Sequence, residues 1–335
     1  QTMEVKKRKI ARVTVAVVGP ISGPAFDTLP QDKADFIVAN DLETFTSCGK
    51  LDQVDCLVFV AAGGDKSLLE PLTKLLPNLK WVHSFFAGVD ALADFIKARL
   101  IGNSIPLTNG RGAFSDSLAE WVATSVLHFN KQIPRVIKNR TEKKWEKFTM
   151  DTVKGKTLGI VGFGDIGQCT AKLMKSAFGM KVLAVRNDPS KTSEHADEIV
   201  GPDRKLEVFA RSDFVVCALP GTKETLNYCS TAEFKAMKET AVFISIGRGL
   251  AVDEEALAHA LQTNSILGAA VDVFKVEPLP QENPLWACEN TLITSHNADF
   301  TEDYLRLGWS VFVENLDKFQ DGCDVLATPV DKSAG

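Results

Sequence analysis

The sequence predicts an α/β protein made of two doubly wound parallel-sheet units, and three observations carry that prediction. A chain of 335 residues exceeds the size at which a single core usually keeps growing, so it divides into domains. Its short β-rich runs are four to eight residues long and apolar on both faces, as parallel strands covered by helices must be. Helical periodicity follows run after run, which is the signature of repeated strand–helix crossovers.

The elements follow in order. In the first region Val13 to Val18, Cys56 to Val60 and Trp81 to Phe85 read as strands, with helix-like stretches such as Leu68 to Leu76 between them. Asn109-Gly110-Arg111-Gly112 is a turn-rich junction. Ser115 or Asp116 then caps a long helix to about Asn130, with Leu118, Trp121, Val122, Ser125, Val126 and Phe129 on one face. The second region holds strands at Leu158 to Val161, Val182 to Val185, Phe214 to Ala218, Val242 to Ile246, Ala269 to Val273 and Thr291 to Thr294. Asn297 to Gln320 returns to helical periodicity through Tyr304, Leu307, Val311 and Leu316. This tail is expected to rejoin the first region, giving a discontinuous unit of 1–110 plus 300–335 around a unit of 111–299.

Composition narrows the class. Apolar residues at 45% and charged residues at 24% fit an ordinary globular protein, and no run reaches the roughly 18 apolar residues a membrane helix needs. A net charge of −5 and a pI near 5.7 offer no basic footprint for nucleic acid. The basic run Lys6-Lys7-Arg8-Lys9 reads as a solvated lead-in, and Val13 to Val18 is too short for a signal-peptide core. Seven scattered cysteines without a Cys-x-x-Cys pair suggest reduced thiols and a cytoplasmic location, with a leader removed before Gln1 left open. The five histidines show no metal-ligand spacing, and no structural metal is expected.

Gly162-Phe163-Gly164-Asp165-Ile166-Gly167 follows the strand Leu158-Gly159-Ile160-Val161 and precedes a helical stretch from Gln168 to about Ala177. In that context the glycines serve a tight turn, close approach of the backbone to a pyrophosphate, and close helix–strand packing, which is a Rossmann-like dinucleotide site. Free N–H groups and the positive dipole end of the helix face the phosphates. Arg186 stands 19 residues after Gly167, where an acidic residue would accept the ribose hydroxyls of NAD. A guanidinium there suits a 2′-phosphate, so NADP(H) is the expected cofactor. Asp188 leaves NAD possible if the register is shifted by two.

Three further stretches end predicted strands: Ser245-Ile246-Gly247-Arg248-Gly249, Asp272 through Glu277 to Pro280, and Thr294-Ser295-His296-Asn297-Ala298. Open α/β sheets place their ligands at that edge. Arg248 supplies a permanent cation for a carboxylate and a carbonyl oxygen. His296 supplies a proton donor suited to neutral pH. Glu277 supplies a carboxylate that favours the imidazolium and orients the ring. Together they equip the edge to reduce a 2-keto acid, with hydride transfer to the carbonyl carbon while His296 protonates the oxygen.

In this order of motifs the sequence resembles the D-isomer-specific 2-hydroxyacid dehydrogenase family over nearly its whole length. It is most similar to NADPH-preferring glyoxylate and hydroxypyruvate reductase-like members, through Arg186 and through Glu277-Pro278-Leu279-Pro280 leading to Pro284-Leu285-Trp286. The resemblance implies a flavodoxin-like substrate domain in 1–110 plus 300–335 and a dinucleotide-binding domain in 111–299. It implies that Phe86, Ala87 and Gly88, in Phe86-Ala87-Gly88-Val89-Asp90, bind the substrate carboxylate through backbone N–H groups. Asp272 is implied to orient the nicotinamide carboxamide, and Ile246 to lie under the nicotinamide ribose. Leu219, Pro220 and Thr222 are implied to border the adenosine half, with Asn187 beside Arg186. A homodimer through the cofactor domain, with the Ser115 to Asn130 helix contributing, is implied as well.

Two features depart from the family pattern. Asn297-Ala298-Asp299-Phe300 replaces a small, apolar, glycine-containing run after the histidine, and Phe85 with Phe86 crowds the N-terminal loop, suggesting a small or planar substrate. Alternatives on the same scaffold are a dinucleotide-sensing co-repressor and a phosphoglycerate or formate dehydrogenase. Formate enzymes are expected to carry an amide where Glu277 stands, and NAD-linked phosphoglycerate enzymes an acid where Arg186 stands. His83 and His128 read as packed side chains, and His195 and His259 as exposed. Trp81, Trp121, Trp145, Trp286 and Trp309 read as core or interface anchors, with Trp286 a candidate to close a partner's pocket.

Overall fold

The computed structural model describes residues 12–60 and 63–332; the basic run Lys6 to Lys9 lies outside the described residues. The chain forms two compact units, one ending at Phe114 and resuming at Glu302, the other being Ser115–Thr301. The expected breaks at 110/111 and 299/300 come slightly earlier, because a helix starts only at Ser115 and the His296 loop stays with the second unit through Thr301.

The first unit holds a parallel sheet of β1 (Thr14–Val18), β2 (Asp35–Ala39), β3 (Cys56–Phe59), β4 (Trp81–Ser84) and β5 (Leu107–Asn109) in the order β2-β1-β3-β4-β5. That is the flavodoxin-like order. Strands β3 and β4 are buried along their whole length, β3 through an unbroken apolar sequence and β4 with the polar His83 and Ser84 buried as well. The helix Tyr304–Gln320 belongs to this unit, with Trp309, Phe312 and Leu316 in the same cluster as Val15, Val58 and Trp81. Phe312 stacks on Trp81 at 5.2 Å between ring centroids. β2 and β5 lie at the two edges of the sheet, where β2 is apolar from Phe36 to Ala39 but buries only Ala39 fully. β2 begins on the exposed Asp35 and β5 spans three residues at the sheet edge.

One polar line crosses this core. The Thr108 hydroxyl accepts from Trp81 Nε1 at 2.8 Å and is hydrogen-bonded to His83 Nδ1, also at 2.8 Å. Complete burial pulls the His83 pKa down to about 3, so the ring is neutral near pH 7.

The second unit holds β6 (Thr157–Val161), β7 (Lys181–Val185), β8 (Glu198–Val200), β9 (Phe214–Cys217), β10 (Val242–Ser245), β11 (Gly268–Val271) and β12 (Thr291–Ile293). All pair in parallel, in the order β12-β11-β10-β9-β6-β7-β8, so the direction of winding reverses between β6 and β9. Ligands of doubly wound sheets lie outside the carboxyl ends at that reversal. The six expected strands are joined by a seventh, β8, whose single fully buried residue, Val200, gives no sequence signal.

The helix Ser115–Asn130 is present, but neither expected cap acts as one. Ser115 Oγ donates to Asp165, and Asp116 accepts from Cys169 Sγ at 3.1 Å. Cys169 is consequently not a reactive thiol, because burial first and the Asp116 hydrogen bond second push it up to about 12. A further helix, Ile133–Thr141, has no buried residue and was invisible to an apolar-stripe reading. His128 is half-buried and His259 exposed, whereas His195 is half-buried rather than exposed, sitting in the 193–196 turn. Trp81 and Trp309 are core, Trp121 packs against the second unit's core, and Trp145 is 96% exposed.

Candidate active site

The site begins with the turn after β6. Gly162 has φ +94°, and a Cβ there would meet the Ala218 carbonyl oxygen at 2.7 Å; one on Gly167 would meet the Gly162 carbonyl oxygen at 2.5 Å. Only glycine fits either position. Gly164 has nothing within 4 Å of a would-be Cβ and caps the helix Asp165–Phe178, so free N–H groups open onto unobstructed space. These residues fit a pyrophosphate. Ile166 is partly buried beneath the loop, and the Asp165 carboxylate is turned to Ser115.

Arg186 directly follows β7, with its backbone N–H paired to Val200 and its Nη1 donating to the Lys191 carbonyl at 3.3 Å. Asn187 beside it is exposed. Asp188 turns into its own loop, accepting from Ser190 N at 3.2 Å and Ser190 Oγ at 2.5 Å, and these hydrogen bonds hold its carboxyl below the usual range. Both side chains thus bond within the 186–191 loop that follows β7.

Arg248 follows β10 between two glycines that are sterically required. A Cβ on Gly247 would lie 2.3 Å from the Leu219 carbonyl oxygen, and one on Gly249 would lie 1.9 Å from the Phe274 carbonyl carbon. The Arg248 turn is thus wedged between the Leu219-Pro220 loop and the Phe274 strand end. Thr222 closes the first of these loops, accepting from and donating to Thr225 as a capping box. Ile246 N–H pairs with Cys217, and its side chain is buried.

His296 lies at φ +50°, a left-handed conformation that costs a non-glycine residue on the order of 1–3 kcal/mol. Asp272 holds it there. Its backbone carbonyl accepts from His296 N at 2.8 Å, while its buried carboxylate accepts from Thr294 Oγ1 at 2.6 Å, Asn297 N at 3.1 Å and Ala298 N at 3.3 Å. The imidazole Nδ1 then lies 2.7 Å from Glu277 Oε2. With Glu277 ionised, Nδ1–H donates, which leaves Nε2 for proton transfer. Glu277 is itself held by Phe274 N, which donates to Oε1 at 2.9 Å. The histidine and glutamate side chains are 36% and 35% exposed, open enough to meet a small molecule.

Phe86, Ala87 and Gly88 lie in the other unit, after β4. Gly110 N donates to the Phe86 carbonyl and Asn109 Nδ2 to the Ala87 carbonyl, which fixes the loop. Among the described residues the Ala87 and Gly88 amides donate to no acceptor. Two residues with a bearing on the site were not singled out as acting there. Asp299, noted only as a departure, has a carboxyl raised first by burial, with Asp272 adding and His296 opposing. Glu254 accepts from the backbone beside Glu277, and an acidic residue in a helix's first turn is too ordinary to attract notice.

The profile of the D-isomer specific 2-hydroxyacid dehydrogenase NAD binding domain matches residues 123–298, more than half of the chain. The protein belongs to this family. The family dehydrogenase is 32% identical over 262 residues to a glyoxylate/hydroxypyruvate reductase B of Citrobacter koseri, covering 76% of this chain and 79% of the relative. It is 30% identical to a D-3-phosphoglycerate dehydrogenase of Methanocaldococcus jannaschii over 92% of this chain, spanning 58% of that longer protein. Among solved structures it resembles a D-isomer specific 2-hydroxyacid dehydrogenase from Xanthobacter autotrophicus Py2 in complex with NADPH and MES. That match has a TM-score of 0.79 at 27% identity, covering 96% of this chain and 99% of the other. The chain is therefore a nicotinamide-dependent 2-hydroxyacid oxidoreductase of two parallel-sheet domains.

Proposed function

We propose that this dehydrogenase reduces a small 2-keto acid of the glyoxylate or hydroxypyruvate type to the D-2-hydroxy acid, with NADPH preferred over NADH. The observation that carries the reading is the His296–Glu277 pair at 2.7 Å, on the same carboxyl edge as Arg248 and the Gly162–Gly167 loop. Bound nicotinamide supplies the hydride. Arg248 holds the substrate carboxylate and polarises the carbonyl, which a planar fork does better than a point charge. His296 delivers a proton from Nε2 to the carbonyl oxygen, and Glu277 keeps the ring oriented and balances its charge. Asp272 Oδ2, which accepts one bond from Ala298, keeps a lone pair for the carboxamide. Leu219, Pro220, Thr222 and Ile246 line the cofactor path, and Phe86, Ala87 and Gly88 offer amide donors to the carboxylate.

Arg186 with Asp188 turned away supports NADPH and disfavours the NAD-linked phosphoglycerate reading. A homodimer through the cofactor domain belongs to the same proposal. It is supported by the helix Ile133–Thr141, which buries nothing, and by exposed Val136, Ile137, Trp145 and Met150 in one stretch of chain. A cytoplasmic site of action is supported by seven unpaired cysteines.

The test is a kcat/KM panel of glyoxylate, hydroxypyruvate, pyruvate and a bulky aryl keto acid with each cofactor. The proposal expects hydroxypyruvate or glyoxylate with NADPH to lead. Higher kcat/KM with NADH refutes the cofactor assignment. Tight NADPH binding without turnover of any keto acid favours the sensor instead.

A further inference from the structure

The segment that carries Glu277 is fastened from outside the catalytic group. Glu254, in the first turn of the helix Glu254–Gln262, places both carboxylate oxygens on it. Oε1 accepts from Lys275 N at 2.6 Å, and Oε2 accepts from Asn283 Nδ2, also at 2.6 Å. These two anchors bracket Glu277 along the chain. Asn283 passes the constraint on, since its Oδ1 accepts from Leu285 N at 3.0 Å while its own N–H closes a turn onto Pro280.

The Phe274–Lys275 peptide is where the constraints meet. The Phe274 amide donates to Glu277 and the next amide donates to Glu254, so two carboxylates hold consecutive N–H groups. The same peptide is the surface against which Gly249 is pressed, with the Lys275 nitrogen 2.4 Å from where a Gly249 Cβ would stand. A shift of this peptide moves Glu277 directly, through the Phe274 N–H that its carboxylate accepts. Charge-assisted hydrogen bonds of this length are the strong kind, and a half-buried carboxylate makes them at little cost in mobility.

We propose that Glu254 is a positioning residue for reduction, acting through Glu277 on His296 rather than on substrate or cofactor. This rests on the catalytic reading of Glu277 and His296 given above. Misplacement of a reacting group by about 1 Å can cost on the order of a hundredfold, so loss of the clamp should show in kcat.

The experiment uses the full-length protein, hydroxypyruvate and NADPH. Glu254→Ala and Glu254→Gln should each lower kcat by about ten- to a hundredfold while NADPH Kd stays at the wild-type value. In Glu254→Gln the amide N–H₂ faces the Asn283 N–H₂, and in Asn283→Asp two carboxylates face each other. The double variant Glu254→Gln with Asn283→Asp re-forms the bond with donor and acceptor exchanged, and should restore kcat. In a Glu277→Ala background, Glu254→Ala should cost nothing further, as expected of residues that act as one unit. Wild-type kcat in Glu254→Ala, an equal loss in both backgrounds, or no recovery in the exchanged pair overturns the proposal and leaves the catalytic group standing. Wild-type kcat in Glu277→Ala overturns both.

Discussion

Two histidines in this protein sit in opposite surroundings. His83, on β4 of the first unit, has no exposed surface, is hydrogen-bonded to Thr108, and is held neutral with its pKa near 3. His296, on the loop after β12 of the second unit, is about one-third exposed and faces a carboxylate. The first has its Nδ1 bonded to the Thr108 hydroxyl, which also accepts from Trp81. The second is held at its back nitrogen and left free at the other. Residue type alone therefore decides nothing; a sealed imidazole is part of the packing, and one with a carboxylate behind it and solvent before it can move a proton.

That contrast can be broken at several points. Among substitutions away from the two histidines, the largest effect is expected for Arg248→Lys, which keeps the charge but loses the fork, with kcat/KM for hydroxypyruvate falling about 10²- to 10³-fold in steady-state assays. Undiminished kcat/KM would remove Arg248 from the group. Asp272→Asn should come next. An amide cannot accept from Thr294, Asn297 and Ala298 as two carboxylate oxygens do, so the strained His296 turn relaxes and kcat drops about tenfold or more. If kcat were retained, the His296 turn would hold without Asp272. Arg186→Ser should leave the chemical step alone and raise KM for NADPH relative to NADH by about tenfold, one lost charge-assisted contact. An unchanged cofactor ratio would place the 2′-phosphate elsewhere.

The smallest and most diagnostic effect concerns His83. Its folded pKa is depressed, so the unfolded chain binds a proton between the ordinary value near 6.5 and about 3 that the folded chain does not. Its contribution is present above about 6.5 and is lost as pH falls through that window, by up to roughly 1.4 kcal/mol per pH unit. Denaturant titrations at a series of pH values should show His83→Phe with a flatter acid limb than wild type. Equal slopes would mean that His83 is protonated in the fold.

Much of this was legible in the sequence, for physical reasons. Gly162, Gly167, Gly247 and Gly249 stand where any Cβ would strike backbone, so the motif and the steric need coincide. Arg248 and Glu277 could be placed because each follows a strand with a fully buried apolar run, whereas the short, half-buried β12 before His296 was legible only through its Leu292-Ile293 pair and its position after β11. β2, β5 and β8 were missed because short edge or near-edge strands need few buried residues and borrow their order from their neighbours. The helix Ile133–Thr141 was missed because it buries no stripe. Asp188 and Glu254 illustrate a different limit. Whether a carboxylate faces its own turn, a ribose or a distant backbone N–H depends on hydrogen bonds that spacing does not encode.

The most direct test of the central claim is single-turnover reduction of hydroxypyruvate by preformed NADPH complexes of wild type and His296→Ala, with NADPH Kd measured alongside. The account predicts rapid cofactor oxidation by wild type, a rate lower by roughly 10²- to 10⁴-fold in the variant, and equal Kd values. A variant that oxidises NADPH at the wild-type rate, or a wild type that binds NADPH and transfers nothing, would contradict it.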